Sequence, residues 1–152
     1  MMVGPDDTGW GKKLQAQAKA LGIAHRITWP GMLQGDMKWG AFYAAEVFCL
    51  PSHTENFGIV VAEALACGKP VLISDKVNIA HEIEVERAGF VSADNLDGTI
   101  ANFERWLAMS TDEFQAMKER SKTCFERHFH VRRAAERLLE LIQSPPDDYA
   151  RK

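Results

Sequence analysis

Short continuous apolar runs alternate with segments of helical periodicity along this chain, and this alternation constrains its fold most strongly. Residues 47–50 (Val-Phe-Cys-Leu) and 71–74 (Val-Leu-Ile-Ser) contain almost no polar side chains, as expected for strands covered on both faces. Weaker strands are predicted at residues 1–4, 27–29 and 90–92. Strands that alternate with helices predict a parallel, doubly wound sheet.

The predicted helices connect these strands and then form the C-terminal part of the chain. Leu14, Ala18 and Leu21 recur at helical spacing before Gly22, and further helices are expected over residues 36–45 and 58–67. From Leu96 onward the pattern is helical. Within that part, Ser110 and Glu113 have capping-box spacing, while Phe114, Met117, Ser121 and Cys124 predict a buried helix face.

Composition excludes several functional classes. A net charge of -3 and a pI near 5.9 disfavour nucleic-acid binding, which needs clustered Lys and Arg. The three cysteines, Cys49, Cys67 and Cys124, lack the spacing of a zinc site and are odd in number, so we expect reduced thiols. No apolar run approaches the roughly 20 residues that span a bilayer. We therefore expect a cytoplasmic protein.

The stretch from Pro51 to Val71 carries the chemically informative residues. It places Glu55 in a loop after a strand and Glu63 inside the following helix, which begins near Gly58. Ligands of such sheets bind beyond the carboxyl ends of the strands. A helix that begins there directs free N–H groups and a positive dipole end at the ligand, which favours a diphosphate.

Two carboxylates at this spacing suit the two ends of one ligand. Glu63 is placed to reach paired ribose hydroxyls, and Glu55 to accept hydrogen bonds from a sugar. An isolated Glu pair at this spacing is more often two solvated surface charges, and His53 is as often a solvated loop histidine as a sugar contact. The residues that surround the pair favour the binding site.

The whole stretch resembles the Glu-(seven residues)-Glu signature of family-four retaining glycosyltransferases, with Glu55 and Glu63 as the matching pair. These enzymes have two Rossmann-like domains that face each other across a cleft, the GT-B fold. The likeness continues at residues 3–6, 27–31, 43–47 and 71–75. It implies an α/β fold with a Rossmann-like parallel sheet flanked by helices, the C-terminal half of a GT-B fold, with a C-terminal helical segment. We assign residues 1–142 to this partial donor-binding domain and 143–152 to a flexible tail.

The same resemblance implies the ligand and the residue roles. The substrate would be a nucleotide-diphospho-sugar such as a UDP- or GDP-sugar, with no cofactor and no metal, and a hexosyl group would pass to a glycan or lipid-linked acceptor. Glu55 would be the catalytic residue that contacts the donor sugar, Glu63 would hold the ribose, and Gly31 and Met32 would border the base. The residues expected around sugar and diphosphate are His53, Glu55, Asn56, Phe57, Gly58 and Ile59.

The chain departs from the family pattern at its start. The family's C-terminal domain opens with a strand, a Gly-containing loop and a basic Arg and Lys pair, and the resemblance here begins after that unit. We therefore expect nucleotide affinity on the order of 1 mM and no turnover by the isolated chain. The absent strand would be central in a 3-2-1-4-5-6 sheet, which predicts a rearranged sheet edge or a dimer. An acceptor-binding N-terminal domain is the other expected partner, and the full-length enzyme would lie at the inner face of a membrane in polysaccharide or glycolipid synthesis.

Several alternatives fit parts of the pattern. Asp6 and Asp7 resemble the acidic pair of response-regulator receiver domains, but the third predicted strand ends in Pro51-Ser52, without a phosphoacceptor Asp. A glycosidase also uses paired carboxylates, but it needs them about 5 to 10 Å apart across one glycosidic bond, whereas the helix N-terminus and Gly58 suit a phosphate better. His128 and His130 have no third metal ligand nearby in the sequence. A non-catalytic nucleotide-binding or interaction remnant and a GT-B-type nucleotide-sugar epimerase fragment remain as alternatives.

Overall fold

A computed structural model describes residues 1–143 and contains a parallel three-stranded sheet. Strand β1 (Phe48–Leu50) pairs with β2 (Val71–Ser74), which pairs with β3 (Gly89–Ser92). Helix α3 (Ile59–Ala66) connects β1 to β2, and α4 (Ala80–Glu86) connects β2 to β3. The predicted α/β fold with a parallel sheet flanked by helices is confirmed.

The remaining helices precede and follow this sheet. Near the N-terminus are α1 (Trp10–Ala20), a 3-10 turn (Ala24–Arg26) and α2 (Gly35–Ala44). After β3 come α5 (Leu96–Leu107), α6 (Thr111–Cys124), a π-helical turn (Phe125–Phe129) and α7 (Val131–Gln143). The predicted capping box is present, because Ser110 Oγ accepts from the Glu113 N–H and the Glu113 carboxylate accepts from the Ser110 N–H. The rest of the predicted tail lies outside the described residues.

Two of the predicted strands, at residues 1–4 and 27–29, are wrong. Among the described residues, the two segments meet only in an isolated parallel bridge between Val3 and Gly31, with hydrogen bonds from the Met2 N–H to the Thr28 carbonyl at 2.9 Å and from the Gly4 N–H to the Gly31 carbonyl at 3.1 Å. Val3 is 50% exposed, so little apolar burial offsets the entropy of ordering a strand. Internal contacts divide the chain into two compact units, one from Met1 to Ala41 and one that begins at Phe42. The assignment of residues 1–142 to one domain stays a prediction.

The core of the second unit lies between the sheet and the helices around it. Buried apolar side chains of α3 pack against β2, and α4 and the end of α6 complete the cluster. Cys67 and Cys124 are buried free thiols, and burial raises the pKa of Cys124 to about 12. The principal members of this cluster are Val61, Ala64, Leu65, Val71, Ile73, Ile83, Ala88 and Cys124.

Buried polar side chains fasten helices to the sheet. Asn102 of α5 donates to the Ile73 carbonyl at 3.0 Å and accepts from the Ser92 hydroxyl at 2.7 Å. The Ser121 hydroxyl of α6 lies 2.9 Å from the Met117 carbonyl of its own helix and 3.2 Å from the Ala88 carbonyl, directly before β3. The side chains of Asn102 and Ser121 thus have hydrogen-bond partners, which avoids the cost of burying them unsatisfied. Across residues 1–143, no helix combines the length and the apolar character that crossing a membrane requires.

A charged cluster joins α4 to the π-helical turn. The Glu86 carboxylate accepts from Arg127 Nη1 at 3.1 Å and lies 2.9 Å from His128 Nε2, and its side chain is only 14% exposed. These hydrogen bonds lower the pKa of Glu86 below its ordinary value of 4.5, and the bond with His128 has the largest effect. The cluster therefore stabilises the fold above about pH 4.5, and this contribution is lost as pH falls through the lower pKa of the folded state.

We expect Glu86→Gln to lower the free energy of unfolding by about 1 to 2 kcal/mol at pH 7, because it removes a charge-assisted acceptor. The loss should become smaller as the pH falls from 7 to 3, because the wild-type carboxylate is increasingly protonated as the pH falls through its lowered pKa. Urea unfolding at both pH values measures it. The control is Glu119→Gln, whose exposed pair with Lys122 at 3.6 Å should contribute little at either pH. Equal losses at both pH values would contradict the assignment.

Candidate functional site

Loops that follow the three parallel strands meet at one edge of the sheet. The β1–α3 loop (residues 51–58) leaves β1, residues 75–79 follow β2, and residues 93–95 follow β3. A backbone bridge between Glu55 and Val77 joins the first two loops. This is the edge at which open α/β sheets bind ligands.

Glu55 is fixed through both its backbone and its side chain. Its N–H donates to the Lys76 carbonyl at 3.2 Å, and its own carbonyl accepts from the Asn78 N–H at 3.3 Å. Its Oε1 accepts from the Gly58 N–H at 3.2 Å. The carboxylate, which is partly exposed, thus stands directly before the first turn of α3.

Gly58 caps the N-terminus of α3 in a conformation that suits glycine. Its φ of 77° is left-handed, and an added Cβ would lie 3.0 Å from Val77 Cγ1. The first amide that bonds back to this residue is that of Val61, at 2.8 Å. The amides of Ile59 and Val60 therefore have no acceptor within the helix, and these two residues are exposed.

Glu63 lies one turn further along the same exposed side of α3. It is four residues after Ile59 and three after Val60, so the three side chains share a helix face. Because Cα–Cβ bonds tilt toward the helix N-terminus, the Cα–Cβ bond of Glu63 leans toward the first turn. An open depression of about 290 Å³ lies beside that turn, and its lining residues are Glu55, Asn56, Phe57, Gly58, Ile59 and Val60.

His53 is paired with another side chain at this edge. Its Nδ1 lies 3.2 Å from Asp94 Oδ2, and this hydrogen bond lowers the pKa of the Asp94 carboxyl. The pair joins the loop after β1 to the loop after β3. The His53 ring is 82% exposed, and its predicted sugar contact stays a prediction.

Sequence reasoning missed the residues that follow β2 and β3. Lys76 and Asn78 hold the backbone of Glu55, and Asp94 holds His53. Their position directly after predicted strands was the available signal, since parallel strands bring their carboxyl ends together. Gly31 and Met32 belong to the first unit, and their role beside a base stays a prediction.

The comparisons with known proteins agree with this arrangement. Residues 1–124 match the glycosyl transferases group 1 family. This match covers most of the chain, and the protein belongs to that family.

Curated relatives resemble parts of the chain. It is 32% identical over 99 residues to the D-inositol 3-phosphate glycosyltransferase of Segniliparus rotundus, a match that covers 62% of this chain and 20% of the relative. It is 38% identical over 68 residues to the phosphatidyl-myo-inositol mannosyltransferase of Mycobacterium leprae, covering 44% of this chain and 18% of the relative. The chain thus spans about a fifth of the length of these relatives.

Solved structures share the fold. Anabaena HepE in complex with UDP and glucose superposes with a TM-score of 0.76 at 23% identity, covering 94% of this chain and 40% of HepE. Sucrose-phosphate synthase from Thermosynechococcus elongatus superposes with a TM-score of 0.76 at 21% identity, covering 93% of this chain and 37% of the synthase. The predicted likeness to GT-B glycosyltransferases is confirmed.

Proposed function

We propose that this chain binds the nucleotide diphosphate and the sugar of a sugar-nucleotide donor for a retaining glycosyltransferase. One observation carries the proposal. Glu55 precedes and Glu63 follows the exposed N-terminal turn of α3, whose N-cap is Gly58, on the carboxyl edge of the parallel sheet. The free amides of that turn suit a phosphate, and a carboxylate on each side suits hydroxyl groups.

Each residue has a distinct role in this proposal. The amides of Ile59 and Val60 receive diphosphate oxygens, Glu63 accepts hydrogen bonds from the ribose hydroxyls, and Glu55 accepts them from the hexosyl group. Glu55 already bonds the Gly58 amide, which fixes one carboxylate oxygen and leaves the second for the sugar. In this role Glu55 orients the transferred sugar, and the α3 amides stabilise the charge that develops on the departing diphosphate.

The acceptor and the rest of the catalytic site are proposed only as a class of molecule and a kind of domain. The acceptor is a glycan or a lipid-linked molecule that approaches from a second, N-terminal domain of the kind that GT-B enzymes have. Because the chain spans about a fifth of the length of its curated relatives, donor binding is the activity to test on this chain. Pairing of two copies through the outer edge of β1 is a further part of the proposal.

Calorimetric titration tests the ligand class. We expect uridine or guanosine diphosphate, or their hexose conjugates, to bind with a Kd on the order of 1 mM. Uridine and guanosine, which lack phosphate, should bind at least tenfold more weakly, as should free glucose. Equal affinity for nucleoside and nucleoside diphosphate would refute a diphosphate site at α3. An absence of binding by both diphosphates and their conjugates at 10 mM, a concentration about tenfold above that expected Kd, would refute the donor site as a whole.

A further inference from the structure

The π-helical turn, which is distant from the β1–α3 loop in sequence, contacts that loop. The rings of Phe57 in the loop and Phe129 in the π-helical turn meet edge to face, with centroids 6.1 Å apart and an interplanar angle of 89°. We propose that Phe129 is a positioning residue for donor binding, which acts through Phe57 on the loop that carries Glu55. This inference rests on the proposed function.

Phe57 connects the contact to the candidate site. It lies between Glu55 and Gly58, whose side chain and amide are hydrogen-bonded to each other, and it lines the depression beside α3. Its side chain is 48% exposed, so the loop gains limited support from burial of this ring. An edge-to-face contact prefers one relative orientation of the two rings, and it therefore restrains the direction in which Phe57 points.

Phe129 is a suitable support because its own position is fixed. The π-helical turn is closed by a hydrogen bond from the His130 N–H to the Phe125 carbonyl at 3.0 Å. Phe125 and Phe129, one turn apart, both pack against the buried core cluster. Isolated π turns are rare and persist where the surrounding contacts hold them.

The Glu86 cluster also holds the π-helical turn. Glu86 on α4 accepts from Arg127 and pairs with His128, the two residues before Phe129. The His128 and Phe129 rings also lie 5.9 Å apart. A nearly buried carboxylate on one helix thus restrains the residues that present Phe129 to the loop.

This arrangement predicts an effect on binding without contact to the ligand. A ligand that binds a mobile loop must bear the entropy cost of ordering it, whereas a loop that is already held binds more tightly. Loss of the Phe129 ring should loosen the loop around Glu55 and Gly58. The affinity for a nucleotide diphosphate should therefore fall, while its preference over the free nucleoside stays the same.

The experiment compares Phe129→Leu with the wild-type chain. Leucine retains apolar packing against the core but has no ring edge for Phe57. We expect the Kd for UDP-glucose to rise between about two- and tenfold, the range that an aromatic pair supplies. Hydrogen exchange of the Gly58 amide in the ligand-free protein should also become faster. Phe129→Tyr, which keeps the ring, should restore both values.

Two further variants separate positioning from general stability. Phe114→Leu removes a ring of α6 that contacts Lys118, and it should change neither quantity. Phe57→Leu should weaken binding, and Phe57→Leu with Phe129→Leu should be no weaker than Phe57→Leu alone, because the two rings act as one unit.

The outcomes distinguish this inference from the proposed function. If the wild-type chain binds UDP-glucose and Phe129→Leu leaves both Kd and Gly58 exchange unchanged, the inference is wrong and the proposed function stands. Additive effects of the two substitutions would likewise overturn it, since Phe129 would then act by another route. If the wild-type chain binds none of the sugar nucleotides, the proposed function is wrong, and this inference falls with it.

Discussion

Gly89→Ala is expected to destabilise the protein by about 3 kcal/mol or more, the largest effect of the substitutions considered. Gly89 opens β3, and a Cβ added there would lie 1.9 Å from the Val71 carbonyl oxygen on the neighbouring strand. Both atoms belong to the backbone or are attached directly to it, so no side-chain rotation relieves the clash. Strands β2 and β3 would have to separate at Val71 and Gly89, the first pair of residues that joins them.

Equilibrium unfolding in urea measures this loss, with Gly40→Ala as the control. Gly40 lies within α2, has no atom within 4 Å of an added Cβ, and does not require a positive φ. Alanine there should be neutral or stabilising by up to about 1 kcal/mol, because it favours the helix and reduces the freedom of the unfolded chain. Similar free energies of unfolding for the two variants would show that β2 and β3 are not paired as described.

Gly58→Ala should lower the free energy of unfolding by about 2 kcal/mol and weaken nucleotide-diphosphate binding by at least tenfold. The left-handed φ of 77° costs a residue with a Cβ about 1 to 2 kcal/mol. The added atom would also press on Val77 Cγ1 at 3.0 Å and on Val61 Cγ2 at 3.4 Å. Because the Gly58 amide bonds Glu55, relief of this contact would move both the loop and the first turn of α3.

Gly22→Ala separates the cost of a left-handed φ from the cost of close contacts around an added Cβ. Gly22 has a comparable φ of 71° but open space around an added Cβ, so only the conformational cost of about 1 kcal/mol applies. Thermal unfolding and calorimetric titration should be run on both variants. A Gly58→Ala variant that is no less stable than Gly22→Ala, with unchanged nucleotide affinity, would argue against a tightly fitted turn at α3.

The strongest local patterns predicted their elements because one physical cause dominated each. The apolar runs at residues 47–50 and 71–74 became β1 and β2. The central strand β2 is fully buried, as expected of a strand covered on both faces, whereas the residues of the edge strand β1 are half-buried. Gly58 and Gly68, the two glycines around α3, mark its ends through their left-handed φ values. The runs at residues 1–4 and 27–29 are as long as β1 and β2 but remain exposed or half-buried, and the sequence alone does not reveal that exposure.

The site was predictable where its residues are close in sequence. Glu55, Gly58 and Glu63 occur within one loop and one helix, so periodicity and turn chemistry were enough to place them together. Contacts between distant segments were not predictable in the same way. The pairing of His53 with Asp94 spans 41 residues, and the contact of Phe57 with Phe129 depends on a π turn that no sequence pattern indicated.

The central claim is tested most directly by an NMR titration in which Glu63 and the ribose hydroxyls are removed singly and together. Wild-type and Glu63→Ala chains are titrated with UDP and with its 2′,3′-dideoxy analogue, and amide shifts are followed. Glu104→Ala, which removes an exposed carboxylate on α5, serves as the matched control. Loss of a hydrogen bond to a charged group corresponds to about a tenfold or greater rise in Kd.

We predict shifts concentrated at residues 55–63 and a rise in Kd of about tenfold when either Glu63 or the ribose hydroxyls are removed. Removal of both should weaken binding no further than removal of one, because they form a single interaction. Glu104→Ala should titrate like the wild-type chain. Additive losses, or shifts distributed away from residues 55–63, would contradict the assignment of this edge of the sheet as a sugar-nucleotide site.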